Sequence, residues 1–234
     1  MKKFKYLVAN GCSFTGGGCM YPIEDNWKSQ SDRTDGQNRN RFSKKLADKL
    51  NLKEINIAQG GGSNDRMFRT TFDWIENNKE KVKDTLFVIG LTNILRRDLW
   101  SNYKNDYIIS SEIHQDISYI ARDCNTTEDE VRQWRNFELK YLIDEDEIEK
   151  KIIRDCVLFN SLVDGNMVFF NALRHCNVVR SDLKFLKLKS EKYEGYNWTD
   201  YIASEDIAWQ GGHPEELHHH EMAHLLYEYI NEKF

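Results

Sequence analysis

Three short apolar runs constrain this chain more than anything else in it. Residues 4–10 run through Tyr6 to Ala9 and stop at Asn10-Gly11-Cys12-Ser13-Phe14-Thr15-Gly16-Gly17-Gly18. Lys53 to Ala58, with Ile55 and Ile57, stops at Gln59-Gly60-Gly61-Gly62-Ser63-Asn64. Thr85 to Leu91 is apolar almost throughout, so it reads as buried on both faces, and Thr92-Asn93 follows directly. Helical spacing lies between the runs. Phe42, Leu46 and Leu50 stand four apart within Arg39 to Leu50, and Met67, Phe68, Phe72 and Ile75 share a face after a cap at Ser63 or Asn64. Strands that alternate with helices and end in small polar turns predict a parallel sheet covered on both sides. The expected fold class is α/β, a three-layer α/β/α sandwich with a central parallel sheet.

The rest of the chain reads less sharply. Residues 16–37 form a glycine-rich, then polar, loop over the sheet. Residues 94–145 are charged and aromatic without a sustained period and are expected to be an insertion after strand three that packs over the site. From Asp146 to about Arg174, Ile148, Ile152, Cys156, Phe159 and Leu162 predict a long helix that Gly165 bends. Strand four is placed within Val178 to Leu188, around Leu183-Lys184-Phe185-Leu186. Residues 190–212 read as a loop carrying Tyr193, Tyr196-Asn197-Trp198 and Trp209. The closing helix, Glu215 to Phe234, has Leu217, Leu225, Leu226, Tyr229 and Ile230 as its apolar residues.

A chain of 234 residues with two prolines and no linker-like stretch is expected to be one domain, 1–234. Aromatics at 12% supply a packed core although hydrophobic residues reach only 40%. A formal charge of −5 offers nucleic acid no general attraction. No apolar run has the length of a membrane span, and Met1 to Ala9 is too short for a signal peptide, so a cytoplasmic location is expected. The five cysteines are scattered and form no CxxC pair, which fits free thiols.

Ser13 is the residue with chemistry to offer. It stands at the carboxyl end of the first strand, where open α/β sheets build their sites, with small neighbours that leave it approachable. A tight turn that merely uses Gly and Ser would look the same. Three further pieces carry the argument: Asn56 with Gly61-Gly62-Ser63-Asn64, Gly90-Leu91-Thr92-Asn93, and His213-Pro214 before the last helix. Their order and spacing resemble the SGNH (GDSL-like) hydrolase family over about 100 residues in four blocks, leaving the middle unmatched.

The resemblance implies a flavodoxin-like SGNH hydrolase fold and a serine esterase or deacetylase. The substrate would be a small acyl ester, a small molecule or a carbohydrate. It implies Ser13 as nucleophile and His213 as general base. The Ser13 and Gly61 backbone N–H groups and the Asn93 amide would form the oxyanion hole. No cofactor, nucleic acid or membrane partner is expected, and oligomeric state is left open.

Three departures from the family pattern matter. Cys12 replaces the usual Asp before the serine and reads as a small buried thiol. Gly90 and Asn93 are three apart rather than two, so Thr92 competes with Asn93. Gln210 stands where an Asp usually precedes the histidine by three. The orienter of His213 is then Gln210, a backbone carbonyl, or Asp206 or Glu205, and failing all of these the chain is a slow enzyme or a non-catalytic binding module. A competing motif lies in the last helix. His220-Glu221-Met222-Ala223-His224 spells HExxH, so His220, Glu221 and His224 constitute a zinc-peptidase alternative without an evident third ligand. His218, His220 and His224 are otherwise read as surface residues.

Overall fold

The computed structural model describes residues 4–18, 36–110, 117–173, 176–204 and 213–234. Four strands, β1 (Tyr6–Asn10), β2 (Lys53–Asn56), β3 (Thr85–Leu91) and β6 (Met167–Asn171), pair in the order β2-β1-β3-β6. Every pairing is parallel, with Val8 opposite both Ile55 and Phe87, and Ile89 opposite Phe169. The chain therefore leaves β1 toward one side of the sheet and continues from β3 toward the other. This reversal opens a crevice at the carboxyl ends of β1 and β3.

The helices of the sandwich are α1 (Ser13–Gly16), α2 (Phe42–Leu50), α3 (Asn64–Asn77), α6 (Glu145–Leu162), α7 (Trp198–Ser204) and α8 (Glu216–Lys233). Period-two alternation in the strands divides the core into two clusters. Leu7, Ala9, Leu86, Val88, Val168 and Phe170 face α2, α7 and α8, where they meet Phe42, Leu46, Trp198, Met222 and Leu226. Val8, Phe87, Ile89, Met167 and Phe169 face α3 and α6, where they meet Met67, Phe68, Ile152 and Cys156. Each large apolar side chain fully buried this way contributes about 1.5–3 kcal/mol. The three-layer α/β arrangement is the one the strand–helix alternation predicts.

Two boundaries differ from the sequence reading. The long helix stops at Leu162 rather than near Arg174. Asp164 (φ 53°) and Gly165 (φ 74°) both take the left-handed region, so Gly165 terminates the helix instead of bending it. The freed Met-Val-Phe-Phe-Asn run is then the fourth strand of the sheet, buried at every position. Leu183–Leu186 is not that strand. It lies beside β6 through one parallel bridge, Phe185 to Phe169, in which Phe169 N donates to Lys184 O (2.9 Å) and Leu186 N to Phe169 O (2.8 Å). Phe72 and Leu217, placed on apolar faces by spacing, are about half exposed. Residues 36–37 are helical rather than loop.

The insertion has its own structure. An antiparallel hairpin, β4 (Arg97–Ser101) with β5 (Asp106–Ser110), precedes α4 (Ile117–Cys124) and α5 (Glu128–Tyr141). Ile108, Ile117, Ile120, Ala121 and Val131 form a small separate core. Arg69 on α3 pins the hairpin to the domain. Its Nη2 and Nε lie 2.6 and 3.0 Å from Asp98 Oδ2, and its guanidinium sits 3.8 Å from the centre of the Tyr107 ring. Burial raises the Asp98 carboxyl pKa, and the Arg69 contact opposes that rise. A second short antiparallel pair, β7 (Leu188–Lys189) with β8 (Glu194–Gly195), precedes α7. Among the described residues no helix is long and apolar enough to cross a membrane.

Candidate active site

The site grows from the end of β1. Asn10 is fully buried, and its Nδ2 lies 2.9 Å from each of Met67 O, Thr70 Oγ1 and Thr71 Oγ1 on α3. Its Oδ1 accepts from Gly11 N at 2.8 Å, which turns the chain out of the sheet. Gly11 is obligatory here. A Cβ at this position would lie 2.2 Å from Thr15 Oγ1 and 3.1 Å from Gly90 O. The turn delivers Ser13 as the first residue of α1, half-buried, with Cys12 fully buried behind it.

Ser13 Oγ lies 2.8 Å from His213 Nε2, although 200 positions separate the two in sequence. His213 is half-buried, and its ring sits 5.4 Å from that of Phe14, tilted by 45°. Phe14 in turn meets Trp198 edge-on at 5.8 Å. The imidazole is thus held between the serine hydroxyl and an aromatic wall, as close as a base must be to take the hydroxyl proton.

The second block is fastened to the first. Gln59 N donates to Gly11 O at 3.2 Å, and Gly62 N donates to Gln59 O at 2.9 Å. A Cβ on Gly62 would lie 3.0 Å from Gln59 O and 3.2 Å from Gly11 O, so only glycine fits between the turns without displacing them. Gly61 takes φ 74°, a left-handed conformation at the rim. Asn56 holds the same corner from below, its Nδ2 donating to Thr15 O (3.0 Å) and Ser43 Oγ (2.8 Å).

The third block is clamped by Asn64, a role the sequence reading missed when it named Ser63 or Asn64 as a cap. Ser63 is the cap, its side chain accepting from Arg66 N at 3.1 Å. Asn64 instead bridges to Thr92, accepting from Thr92 N (2.9 Å) and donating to Thr92 O (3.0 Å). An asparagine directly after a capping serine was the available signal. Thr92 is fully buried, with its hydroxyl accepting from Arg96 Nη1 at 3.0 Å. Asn93 is half-buried, and its Oδ1 accepts from Leu95 N at 2.8 Å, which leaves Nδ2 as the donor end of the amide. Gln210, Asp206, Glu205 and Trp209 lie outside the described residues.

The HExxH residues do not converge. Glu221 accepts from the Tyr201 hydroxyl at 2.6 Å. His220 is exposed, its Nε2 2.6 Å from Lys45 Nζ, and His224 is exposed with Glu228 3.9 Å away. Among the described residues no three His, Cys, Asp or Glu side chains stand together as metal ligands. The reading of His218 as a surface residue is overturned, since His218 and His219 are both fully buried. Each accepts a backbone N–H through Nδ1: His218 from Glu215 N (2.9 Å), and His219 from Phe42 N (3.1 Å) at the start of α2. Both sit at the amino end of α8, where that helix packs into the aromatic core. Burial lowers both pKa values, His219 to about 3.

A family model described as a family of unknown function, DUF6071, matches residues 25–215. The chain belongs to the DUF6071 family. The matched span includes His213 and ends before Ser13 is reached on the amino-terminal side. No curated protein matches this DUF6071 sequence. Among solved structures, a psychrotrophic esterase, EstA, from Pseudoalteromonas sp. is 11% identical, with a TM-score of 0.48 and 97% of each chain covered. An acetylxylan esterase from Geobacillus stearothermophilus, as a catalytic mutant, is 12% identical, with a TM-score of 0.44 and coverage of 98% and 96%. A carbohydrate esterase is 12% identical, with a TM-score of 0.46, covering all of this chain and 70% of its own. Likeness at this level does not bear on the chemistry at Ser13.

Proposed function

We propose that this DUF6071 protein is a serine hydrolase of the SGNH type that cleaves a small acyl ester. The observation that carries the reading is the 2.8 Å contact between Ser13 Oγ and His213 Nε2 at the carboxyl end of β1. The resemblance of the four sequence blocks to SGNH hydrolases supports it, as do the fastenings that hold those blocks together.

In the first half-reaction His213 Nε2 takes the Ser13 proton as Oγ bonds to the ester carbonyl carbon. The carbonyl oxygen becomes an oxyanion, received by the Ser13 and Gly61 N–H groups and Asn93 Nδ2. The C–O bond to the alcohol then breaks, and His213 returns the proton to the leaving oxygen. In the second half-reaction water attacks the acyl-serine with His213 again as base. The acid is released and the Ser13 hydroxyl is restored.

Hydrolysis of p-nitrophenyl acetate by wild type, Ser13→Ala and His213→Ala tests this. Either substitution lowers kcat/KM by about 10³-fold or more. Stoichiometric phosphonate labelling occurs at Ser13. Equal rates in wild type and Ser13→Ala, with no labelling, refute the proposal and leave a binding module.

A further inference from the structure

The insertion has a cleft of its own, and none of Ser13, Gly61, Asn93 or His213 lines it. Its volume is about 390 Å³, within the range of small-molecule pockets. Leu99 and Ile108 of the hairpin, Ile120 of α4 and Val131 of α5 give it apolar walls. Ile108, Ile120 and Val131 also belong to the insertion's small core. The cleft is therefore a place where that core is not filled to the density usual inside proteins.

The lining carries one kind of charge. Glu130 is its one carboxylate among the described residues, and no Lys, Arg or His joins it there. The Thr126 hydroxyl, Thr127 N (3.0 Å) and the Thr127 hydroxyl (2.9 Å) all donate to Glu130 Oε2. These bonds, that of Thr126 foremost, lower the Glu130 pKa to about 2, so the side chain is an anion at neutral pH. Among the described residues no donor reaches Oε1 and no cation pairs with this carboxylate. Trp134 also lines the cleft, four positions along α5 and so one turn further on the same face as Glu130. It is 37% exposed. A carboxylate without a counter-ion and an accessible indole, one helical turn apart, are the two groups that attract an ammonium ion.

We propose that this cleft binds a small organic cation, a protonated amine on an apolar or aromatic body, with the body against Leu99, Ile108, Ile120 and Val131 and the ammonium group at Glu130 and Trp134. The proposal does not depend on the reading of Ser13 and His213. A carboxylate of the same size is disfavoured, since Glu130 repels it and no cation in the lining receives it.

The test titrates protein carrying nitrogen-15 at tryptophan with 3-phenylpropylamine, 3-phenylpropan-1-ol and 3-phenylpropionate, at about pH 7.5 and low salt so that the charge is little screened. The three probes share a skeleton and differ in the charge of the end group. Trp134→Leu identifies the Trp134 indole N–H signal. In wild type the amine shifts that signal to saturation, whereas Trp74 and Trp198, which pack in the sandwich, keep theirs. The amine binds at least about threefold more tightly than the alcohol, and the carboxylate binds more weakly than either. Glu130→Gln keeps the capping box, because glutamine accepts the same bonds, and it binds amine and alcohol alike. Failure of the amine to shift Trp134 to saturation overturns the site. Equal binding of amine and alcohol by wild type overturns the assignment of a cation, and this comparison stands even if the variant folds poorly. A preference for the amine that survives in Glu130→Gln overturns the role of Glu130.

Discussion

His219 makes the protein lose stability on mild acidification. Its Nδ1 accepts from Phe42 N at 3.1 Å, so that nitrogen carries no proton in the folded state. Its ring is stacked on Phe42 at 6.0 Å and meets Trp198 edge-on at 5.4 Å. Burial lowers its pKa from the ordinary 6.5 to about 3, with smaller contributions from His218, Lys45 and His220. The unfolded chain takes up a proton at this side chain below 6.5, and the folded chain does not until about 3. Between those values the unfolded state binds more protons, so stability falls as the pH falls. Each pH unit in that window costs about 1.4 kcal/mol. At about pH 5 the loss from His219 is about 2 kcal/mol, a large share of a typical folding free energy of about 5–15 kcal/mol.

The substitution that isolates the effect is His219→Asn. The asparagine Oδ1 branches from Cγ as the histidine Nδ1 does, so it can still accept from Phe42 N, but it does not titrate in this range. The smaller side chain leaves a void beside Phe42 and Trp198, so the variant is less stable than wild type near neutral pH by about 1–3 kcal/mol. Its pH dependence is nevertheless shallower. Urea unfolding at about pH 7.5 and about pH 5 gives both quantities. Wild type loses about 2 kcal/mol more than His219→Asn between the two conditions. His218, also lowered by burial, titrates in both proteins and drops out of the difference. Parallel losses in the two proteins would mean that the folded state protonates His219 as readily as the unfolded chain, and would refute the argument.

Further outcomes follow from the same contacts. A Cβ on Gly90 would stand 2.6 Å from both Phe170 Cζ and Thr15 Oγ1 in the packed core, so Gly90→Ala lowers stability by about 1–3 kcal/mol in a urea melt. Asn64→Ala removes both bonds to the Thr92 backbone, so it lowers stability by about 1–3 kcal/mol and ester kcat/KM falls as the third block loosens. For the orienter of His213, Gln210→Asp keeps or raises esterase activity and Gln210→Ala lowers it modestly. A large loss in Asp206→Ala, with neither Gln210 change having an effect, assigns the role to Asp206 instead.

What the sequence showed depended on whether a local signal was strong enough to survive its context. β1, β3 and their turns were legible because Val8, Phe87 and Ile89 sit between helical layers and cannot be polar. Gly11, Gly62 and Gly90 were visible as residues, but part of the reason for each is an atom brought in from elsewhere in the chain: Gly90 O at Gly11, Gly11 O at Gly62, and Phe170 Cζ with Thr15 Oγ1 at Gly90. β6 was hidden because its apolar run continues the spacing of α6, and periodicity alone does not separate a buried strand from a buried helix. Asp164-Gly165 was the stop signal, since it forms the left-handed exit. The insertion was illegible as a pattern, since its core is five residues drawn from a hairpin and two helices. Its α5 was nevertheless announced by Thr127 and Glu130, which form a capping box. His218 misled because histidine next to histidine looks like surface, whereas the bond that it accepts runs from the Glu215 backbone N–H.

Two histidines within seven positions are held to opposite tasks, and packing decides between them. His213 must gain and lose a proton during the proposed reaction, so it has to stay in reach of both Ser13 and water. His219 must stay neutral to keep accepting from Phe42 N. One aromatic cluster serves both. Trp198 touches Phe14 at 5.8 Å and His219 at 5.4 Å, and Phe14 touches His213 at 5.4 Å. His219 is fully buried in the cluster, whereas His213 is half-buried. Docking His219, six residues beyond His213, onto the start of α2 also sets the amino end of α8. The last helix thus delivers the candidate base to Ser13 through a histidine that is excluded from titrating itself.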